Sequence, residues 1–355
     1  MAMQRARISG RDVAEVAGVS LNTVSLVVRG SALVAPATKA RVQEVIDRLG
    51  YQPHAAAAAL ASSRSHTVGY LRQGGDAYEP DTDEKLATID VFHNQLLNAI
   101  TARARTQDYY VLLDSFDDAL RCLSLVRNAR IDGALIDHGV EDALLTQLVA
   151  RDAPIVLVGR DAGDLPVNWV KADEEGGAYA ATRHLLDQGH DCLALLTVDD
   201  AHDSAIVGER VRGYQRALAD AGLPVMDMPI SRGDYTFESG HAQGLALLTA
   251  RPRPTGIFVL SEVMAGGVLL AAQEVGLRVP DDLSIVTTEN SPFVEYVRPR
   301  LSAVHVPMYE VGVRATDLLF ALLDDPTTAP RQLVLPTTFV PRDSCAPPPV
   351  RAPAP

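Results

Sequence analysis

The segment DVAEVAGVSLNTVSLVV, residues 12–28, decides how the N-terminal part of this chain folds. Ser9, followed three residues later by Asp12, is typical of a capping box that opens a helix. One buried face is predicted by apolar residues at i, i+3 and i+4, namely Val13, Val16 and Ala17. Gly18 then favours a left-handed end to the helix. The first half of the segment therefore predicts a short helix that stops at Gly18.

The second half of the segment predicts another helix, with Ser20 as its N-cap. Its predicted inner stripe consists of Val24, Val27 and Val28. A rotation of about 100° per residue places four side chains on the outward face: Asn22, Ser25, Leu26 and Arg29. The amide, hydroxyl and guanidinium on that face are groups that contact bases and phosphates. The pattern predicts a helix-turn-helix, although a three-helix bundle without a DNA role would share it.

A third helix and a short alanine-rich segment follow. The third helix is predicted by apolar spacing at Val42, Val45, Ile46 and Leu49, and Gly50 ends it. In YQPHAAAAALASSRS, residues 51–65, Pro53 and five alanines favour a helix that Ser62 and Ser63 end. Helices shorter than about 12 residues are marginal alone in water, so this segment needs a partner to become ordered. The alternative is a plain alanine-rich linker.

Charge is distributed unevenly along the chain. The net charge of −13 alone argues against nucleic acid as a partner. Residues 1–65, however, contain eight Lys or Arg against four Asp or Glu, which leaves −17 for the remaining 290 residues. A basic head on an acidic body is typical of a nucleic-acid-binding module, although ordinary charge fluctuation produces such asymmetry too.

The bulk composition restricts the class of protein. A length of 355 residues suits two or three domains. We expect no membrane span or secretory signal, because no apolar run of about 18 residues occurs and no apolar region follows the N-terminal arginines. Three scattered cysteines without a C-x-x-C pair suit a reducing cytoplasm. These features predict a cytoplasmic protein with no membrane partner.

From about residue 67 onward, apolar runs alternate with helical patterns. The predicted strands are residues 67–71, 109–115, 133–137, 154–159, 192–198, 256–260 and 283–288. Helical patterns such as HNQLLNAITARA and GGAYAATRHLLDQG fill the gaps. This alternation predicts parallel, doubly wound α/β sheets, whose ligands bind outside the carboxyl ends of the strands.

The sequence carries no catalytic constellation. No G-x-G-x-x-G, G-x-x-x-x-G-K or G-x-S-x-G motif occurs. The stretch DDAHDS, residues 199–204, gathers carboxylates around His202, but we interpret it as a solvated loop rather than a metal site. We therefore predict no catalytic residues, no metal and no cofactor.

The chain resembles the lac-repressor (LacI/GalR) family of bacterial transcription regulators. The resemblance rests on residues 12–28, on T-K-A-R-V followed by LGYQP, on a hinge containing Leu60, and on the alternating body. It implies that Leu21 and Asn22 read bases, that Thr23 and Ser25 contact phosphates, and that Leu60 wedges into the minor groove. The implied DNA-binding residues are Ser20, Leu21, Asn22, Thr23, Ser25, Leu26, Arg29, His54, Ala57 and Leu60.

Several positions depart from the family pattern. Leu26 stands where the family usually has Arg, Arg29 where it has Asn, and His54 where Asn is common. Loss of an arginine–guanine contact removes about 1–3 kcal/mol of discrimination at one base pair. We therefore expect an operator with an unusual half-site.

The resemblance also implies an effector cleft between two facing subdomains. Arg210 matches the family's arginine that hydrogen-bonds effector hydroxyls or carboxylates, and Tyr235 stands where an aromatic ring packs on the ligand. Ser261 and Glu262 stand where the family has Asn-Asp, and Glu289 stands where it has a later Asp. Ser261 and Glu289 keep the ability to hydrogen-bond, but their side chains differ in length from the family's. The implied effector-binding residues are Phe92, His93, Arg160, Arg210, Tyr235, Ser261 and Glu289. The acidic segment 72–90 is either a surface loop or a cover over the cleft.

The expected architecture is an α/β protein with an N-terminal helix-turn-helix head, a hinge helix and a periplasmic-binding-protein-like body of two doubly wound parallel subdomains. The expected limits are 1–50 for the head, 51–66 for the hinge, 67–341 for the body and 342–355 for a proline-rich tail without leucine heptads. We expect a homodimeric repressor released from a palindromic operator by a sugar or glycoside. The alternatives are an activator or corepressor-dependent repressor, a solute-binding receptor, and an α/β enzyme with a helical extension.

Overall fold

The computed structural model describes residues 8–28, 31, 33–51, 64–73, 83–116, 118–128, 130–198 and 204–349, excluding the side chains of 83–92 and 204. Several predicted features lie outside the described residues: Arg29, His54, Ala57, Leu60, the side chain of Phe92, and His202. Residues 52–63 of the predicted hinge and 74–82 of the acidic segment also lie outside them.

Three helices form the N-terminal head: α1 (Gly10–Ala17), α2 (Leu21–Val28) and α3 (Pro36–Leu49). The predicted capping box is confirmed, because the Ser9 amide donates to Asp12 Oδ2 at 2.7 Å and the Asp12 amide donates to Ser9 Oγ at 3.4 Å. Gly18 adopts φ 64° as predicted. The head packs around buried apolar residues: Val13, Ala14, Ala17, Val24, Val27, Val34, Val42 and Val45.

Three of the predicted orientations in the head are wrong. Val16 is 49% exposed and Val28 is 37% exposed, whereas Leu26 is half-buried and packs against the head core. Ala14, and not Val16, belongs to the buried face of α1 together with Val13 and Ala17. An eight-residue helix buries only a narrow stripe of about 100°, and its direction depends on where the neighbouring helices lie. Periodicity alone therefore predicts the buried stripe of a short helix only to within one residue on either side.

The body contains two six-stranded sheets, one in each subdomain. The first sheet has the order β11-β5-β4-β3-β1-β2 and the second has the order β12-β10-β9-β8-β6-β7. The first comprises β1 (Thr67–Gln73), β2 (Tyr110–Phe116), β3 (Gly133–Asp137), β4 (Ile155–Val158), β5 (Asn168–Ala172) and β11 (Gln332–Leu335). The second comprises β6 (Leu193–Val198), β7 (Ile230–Gly233), β8 (Gly256–Val259), β9 (Ser284–Thr288), β10 (Ser302–His305) and β12 (Thr338–Val340).

Helices cover the sheets and connect their strands. They are α4 (Asp83–Arg105), α5 (Ala119–Arg127), α6 (Asp142–Val149), α7 (Glu174–Asp187), α8 (Ser204–Asp220), α9 (Phe237–Thr249), α10 (Glu262–Glu274), α11 (Phe293–Tyr296) and α12 (Met308–Asp324). The strand pairs are parallel, except that β12 pairs antiparallel with β10. The predicted doubly wound α/β class is therefore confirmed. Within the described ranges, no helix combines the length and apolarity that a bilayer crossing requires.

The chain passes between the subdomains three times. It leaves the first sheet after β5, returns after β10 with α12 packed on β3, β4 and β5, and leaves again between β11 and β12. Because of these crossings, neither subdomain is one continuous stretch of chain. A shift of one subdomain against the other therefore bends three short connections.

All seven predicted strands are present, and β3 has its predicted limits. The prediction did not include β5, β7, β10, β11 and β12, each of which has three to five residues. These strands are identified by their pairing with distant partners, such as β11 with β5, rather than by a long apolar run.

Candidate functional site

The start of α2 presents exposed side chains. Leu21 is 51% exposed, and Asn22 is exposed beside it. Ser20 Oγ accepts a hydrogen bond from the Thr23 amide at 3.1 Å, so Ser20 caps the helix as predicted. Thr23 Oγ1 also lies 2.9 Å from Ser20 Oγ. The helix is therefore anchored at the end where its outward side chains begin.

The rest of the predicted DNA-binding face is less exposed. Thr23 and Ser25 are half-buried, and Leu26 contributes to the packing of the head rather than standing free on the outward face. Exposed cations on the head are Arg11, Arg41 and Arg48. Four carboxylates, those of Asp12, Glu15, Glu44 and Asp47, are exposed as well, so the exposed charges of the described head nearly cancel. The feature of the described head that suits a nucleic acid is therefore the exposed start of α2 with its polar side chains.

The residues after the predicted hinge are attached to the first subdomain. Arg64 donates to the Leu323 carbonyl at 2.8 Å and pairs with Asp324 at 3.2 Å, at the end of α12. The Asp132 carboxylate accepts from the backbone amides of Ser65 at 2.6 Å and His66 at 3.0 Å. Movement of this subdomain is therefore transmitted to residue 64.

Polar side chains gather near the carboxyl ends of the strands in both subdomains. We call the set from the first subdomain the first wall: Arg72, His93, Asp137, His138, Arg160 and Lys171. We call the set from the second subdomain the second wall: Glu174, Glu209, Arg210, Tyr235, Ser261, Glu262 and Glu289. Lys171 pairs with Glu209 across the two subdomains, which shows that the walls meet.

The first wall surrounds one buried carboxylate, Asp137, which is 3% exposed. Tyr70 Oη donates to Asp137 Oδ1 at 2.8 Å, and His138 Nδ1 lies 3.1 Å from the same oxygen. Arg72 Nε and His93 Nε2 lie 3.5 Å and 3.7 Å from Oδ2. Burial alone would raise the pKa of Asp137, but the neighbouring imidazoles hold it well below its ordinary value.

Arg160 lies in the first wall, but its guanidinium braces the chain. It donates to the backbone carbonyls of His138 at 3.0 Å, Val140 at 2.6 Å and Asp161 at 3.2 Å. It also pairs with Asp142 at 2.8 Å. These contacts fix the loop after β3, so Arg160 positions Asp137 and His138.

The second wall surrounds one buried guanidinium, Arg210, which is 3% exposed. Arg210 Nε donates to Glu174 Oε2 at 2.8 Å, and Nη1 lies 3.4 Å from Thr288 Oγ1 and 3.5 Å from the Leu260 carbonyl. Burial alone would lower the pKa of Arg210, but Glu174 and then Glu289 raise it above its ordinary value. Arg210 therefore stays charged at the carboxyl ends of β8 and β9.

Two glutamates complete the second wall. The Glu262 carboxylate accepts from the Ser291 amide at 3.1 Å and from the Ser291 hydroxyl, and the Glu262 amide donates to Glu289 Oε2 at 3.4 Å. Burial, assisted by Glu262, raises the pKa of Glu289 to about 8. Glu289 and Tyr235 have φ values of 68° and 70°, a left-handed conformation that non-glycine residues keep only where the surroundings hold it.

Among the predicted effector-binding residues, Ser261 has the structural feature that points most directly to a bound ligand. It is 1% exposed at the end of β8, and its Oγ has no hydrogen-bond partner among the described residues. A buried hydroxyl without a partner costs about 1–3 kcal/mol, which a bound polar molecule would recover. Ser261 therefore suits a hydrogen bond to a molecule held between the walls.

Sequence reasoning did not identify several groups of the two walls, namely Arg72, Asp137, His138, Lys171, Glu174 and Glu209. A signal was present for Asp137 and His138, because Asp137 is the last residue of the buried strand β3 and His138 directly follows it. Glu174 gave no such signal, because it lies 36 positions from the arginine it pairs with.

Comparison with known proteins finds family models that match the head and the later part of the body. A model of bacterial regulatory proteins of the lacI family matches residues 11–54, and a periplasmic binding protein-like domain model matches residues 182–345. Catabolite control protein A of Priestia megaterium is 35% identical over 323 residues, which cover 89% of this chain and 92% of that protein.

Two solved structures show the same fold. A complex of the transcriptional regulator CelR with cellobiose is 29% identical, with a TM-score of 0.69, and covers 95% of this chain and 100% of its own. The structure of the lac repressor dimer bound to operator and the anti-inducer ONPF is 25% identical, with a TM-score of 0.82. The match covers 96% of this chain and 100% of that chain. The similarity therefore extends over the head and the body together.

Proposed function

The chain belongs to the LacI family of bacterial transcription regulators, and from this membership we propose that it is a homodimeric repressor controlled by a small molecule. Two heads bind the half-sites of a palindromic operator, and a carbohydrate effector between the walls releases them. The observation that carries the proposal is the exposed start of α2 on a chain whose body brings two polar walls together.

The proposed DNA contacts begin at the start of α2. Leu21 and Asn22 reach base edges in the major groove, with Asn22 suited to adenine. Ser20, Thr23 and Ser25 contact phosphates, and the exposed arginines of the head add sequence-independent attraction. Leu26 packs against the head core. Only the part of its side chain that reaches the groove can therefore discriminate between bases.

The remaining proposed DNA contacts lie outside the described residues. Leu60 wedges into the minor groove, Ala57 and His54 lie beside it, and Arg29 contacts a phosphate. The attachment of Arg64 to α12 supports this assignment, because it links the end of the hinge to the first subdomain. Movement between the subdomains would therefore change the spacing of the two hinges in a dimer.

The effector site of this proposal uses both walls. Arg210, Ser261 and Glu289 supply hydrogen-bonding groups from the second wall, and Tyr235 supplies a ring. His93 contributes from the first wall, and Phe92, which precedes it in the chain, is proposed as a further contact. Polar groups of both charges and an aromatic ring suit hydroxyl-rich molecules. The cellobiose complex of the similar CelR structure supports the carbohydrate class. A coupling of about 1–3 kcal/mol between effector and operator is sufficient for control.

The operator is tested by selecting duplexes of random sequence on the full-length protein and reading the bound fraction by sequencing. We expect an enriched palindrome. Asn22→Ala should relax the preference at one position per half-site, whereas the control Gln43→Ala, on the exposed side of α3, should leave it unchanged. Absence of any enriched sequence, with and without a panel of sugars, would refute the operator-binding proposal.

The effector site is tested by fluorescence anisotropy of a labelled operator against a panel of mono- and disaccharides. We expect one class of sugar to release the operator. Ser261→Ala should weaken that response about tenfold with operator affinity retained, because it removes a hydrogen-bonding group at β8. The control Tyr214→Phe removes another buried hydroxyl without a described partner, inside the apolar core. Tighter operator binding in the presence of the sugar would instead establish a corepressor.

A further inference from the structure

We propose that His93, Asp137 and His138 form a binding site for a divalent transition-metal ion, for which Zn²⁺ is the natural probe. One ligand atom from each of the three residues lies within 4.8 Å of the others. Imidazole nitrogens with a carboxylate oxygen are a donor set that suits Zn²⁺ and its neighbours. Two different elements supply the set, since His93 lies on α4 and the other two residues lie at the end of β3.

The distances within the cluster are close to those that an ion requires. Ligand atoms of a tetrahedral zinc site lie about 3.3 Å apart, because each bond is about 2.0–2.1 Å long. His138 Nδ1 lies 3.1 Å from Asp137 Oδ1, and His93 Nε2 lies 3.7 Å from Asp137 Oδ2. Because all three ligand atoms lie within 4.8 Å of one another, binding draws the widest pair together by at most about 1.5 Å.

The surroundings hold the three ligands in place. Tyr70 Oη donates to the Asp137 carboxylate and is itself 3% exposed, which is the kind of outer partner that orients a ligating carboxylate. The His93 and His138 rings stack at an interplanar angle of 22° with centroids 6.0 Å apart. The Arg160 guanidinium fixes the His138 carbonyl.

Neutralising Asp137 does not require both imidazoles. Tyr70 and Arg72 already give the carboxylate a hydrogen bond and a positive charge. Two further imidazoles nevertheless converge on the same two oxygens, and the side chains of His93 and His138 are only 15% and 5% exposed. Coordination of a shared ion explains why two imidazoles converge on Asp137 better than neutralisation of this one carboxylate does.

Arg72 is the competitor for the site. Its Nε lies 3.5 Å from Asp137 Oδ2, and its side chain is 31% exposed, so the guanidinium can turn into solvent when an ion binds. An ion and the guanidinium would then occupy the same carboxylate oxygen in turn. Removal of the Arg72 charge should therefore strengthen metal binding, a result that a purely structural cluster does not predict.

Three protein ligands leave a coordination position for water or for a donor atom of a bound molecule. The ion would lie in the first wall, so the assignment deepens the proposed function by making effector recognition depend on metal. Only this consequence rests on the proposed function. Metal binding itself is measured without DNA or sugar, so the two proposals fail separately.

The test is a titration of the full-length protein with Co²⁺, read by its visible absorption, followed by displacement with Zn²⁺. We expect one ion per chain. His93→Ala and His138→Gln should each weaken binding at least about tenfold, and Arg72→Gln should strengthen it several-fold. The matched control is His241→Ala, because His241 pairs with Glu274 outside both walls.

Thermal unfolding of each variant without metal shows whether that variant is folded. If His138→Gln proves to be unfolded, the metal affinity of His93→Ala alone tests the proposal. Absence of saturable binding up to about 1 mM would overturn the proposal, because structural zinc sites bind far more tightly. Binding that survives the loss of His93 and is lost with His241 would overturn it as well.

Discussion

The two walls differ in the sign of the charge that each one buries. The first wall surrounds a carboxylate, Asp137, with a guanidinium and two imidazoles. The second surrounds a guanidinium, Arg210, with the carboxylates of Glu174, Glu289 and Glu262 nearby. Each of these two buried charges therefore has its partners within its own subdomain.

The central charge of each wall, Asp137 or Arg210, has its partners inside its own subdomain. The pair that joins the walls is Lys171 with Glu209, and Lys171 also contacts Asp161 at 3.2 Å within its own subdomain. Burial would lower the pKa of Lys171, but Glu209 and Asp161 raise it, so the cation persists.

The largest expected effect comes from removing the partner of Arg210. Glu174→Gln should lower the free energy of unfolding by about 3–5 kcal/mol, because it leaves a buried guanidinium without its closest counter-charge. Urea denaturation measures the loss. Glu175→Gln is the control on the same helix, since Glu175 pairs with Arg212 and Arg216 nearer the surface and should cost below about 1 kcal/mol. Equal losses would show that Arg210 does not depend on Glu174.

The second effect concerns pH. The pKa of Glu289 is raised from 4.5 to about 8, so its protonated form stabilises the fold below pH 4.5 and that contribution is lost as the pH rises through 8. Glu289→Gln keeps the neutral form at every pH. Because each pH unit between the two pKa values is worth about 1.4 kcal/mol, the variant should gain roughly 4 kcal/mol relative to the parent chain between pH 5 and pH 9.

Melting temperatures of the two chains across that pH range measure the gain. The exposed Glu238→Gln serves as a control, and its curve should run parallel to that of the parent chain. A constant difference between the Glu289 variant and the parent chain would contradict the raised pKa.

A smaller loss is expected in the first wall. Asp137→Asn should lower the free energy of unfolding by about 1–2 kcal/mol, because Arg72 is 31% exposed and can be rehydrated, and Tyr70 keeps an acceptor. Urea denaturation measures the free energy of unfolding of this variant and of the control Asp114→Asn. Because Asp114 is a more exposed partner, paired with Arg121, the comparison isolates the effect of burial. A loss as large as that of Glu174→Gln would remove the difference between the walls.

The smallest effect is expected at the contact between the walls. Lys171→Glu should destabilise the chain, and the exchange Lys171→Glu with Glu209→Lys should recover part of the loss, with a coupling energy of about 1 kcal/mol. The measurement is a double-mutant cycle by calorimetry. Strict additivity of the two single changes would indicate that this pair does not hold the walls together.

The local features of the head could be predicted from the sequence because their causes are local. A capping box spans four residues, and Gly18 adopts φ 64° where the pattern ends. The directions of Val16, Val28 and Leu26 could not be predicted, because they depend on how α1, α2 and α3 cross. The packing of three helices decides which side of a short apolar stripe is covered.

The strands show the same limit. Buried central strands such as β3 are continuous apolar runs, so their positions are evident in the sequence. The short β11 and β12 become strands because they pair with β5 and β10, more than 30 residues away. Their residues alternate between half-buried and exposed, or are partly exposed throughout, and carry little local signal.

The sequence by itself determined the helix-turn-helix head, the alternating α/β body and the placement of Arg210, Ser261 and Glu289 near strand ends. Only the tertiary structure decided which charges meet: Asp137 with Arg72 and His93, Arg210 with Glu174, and Lys171 with Glu209. Helix caps and apolar periodicity act over a few residues, whereas ion pairs between sheet edges depend on three chain crossings.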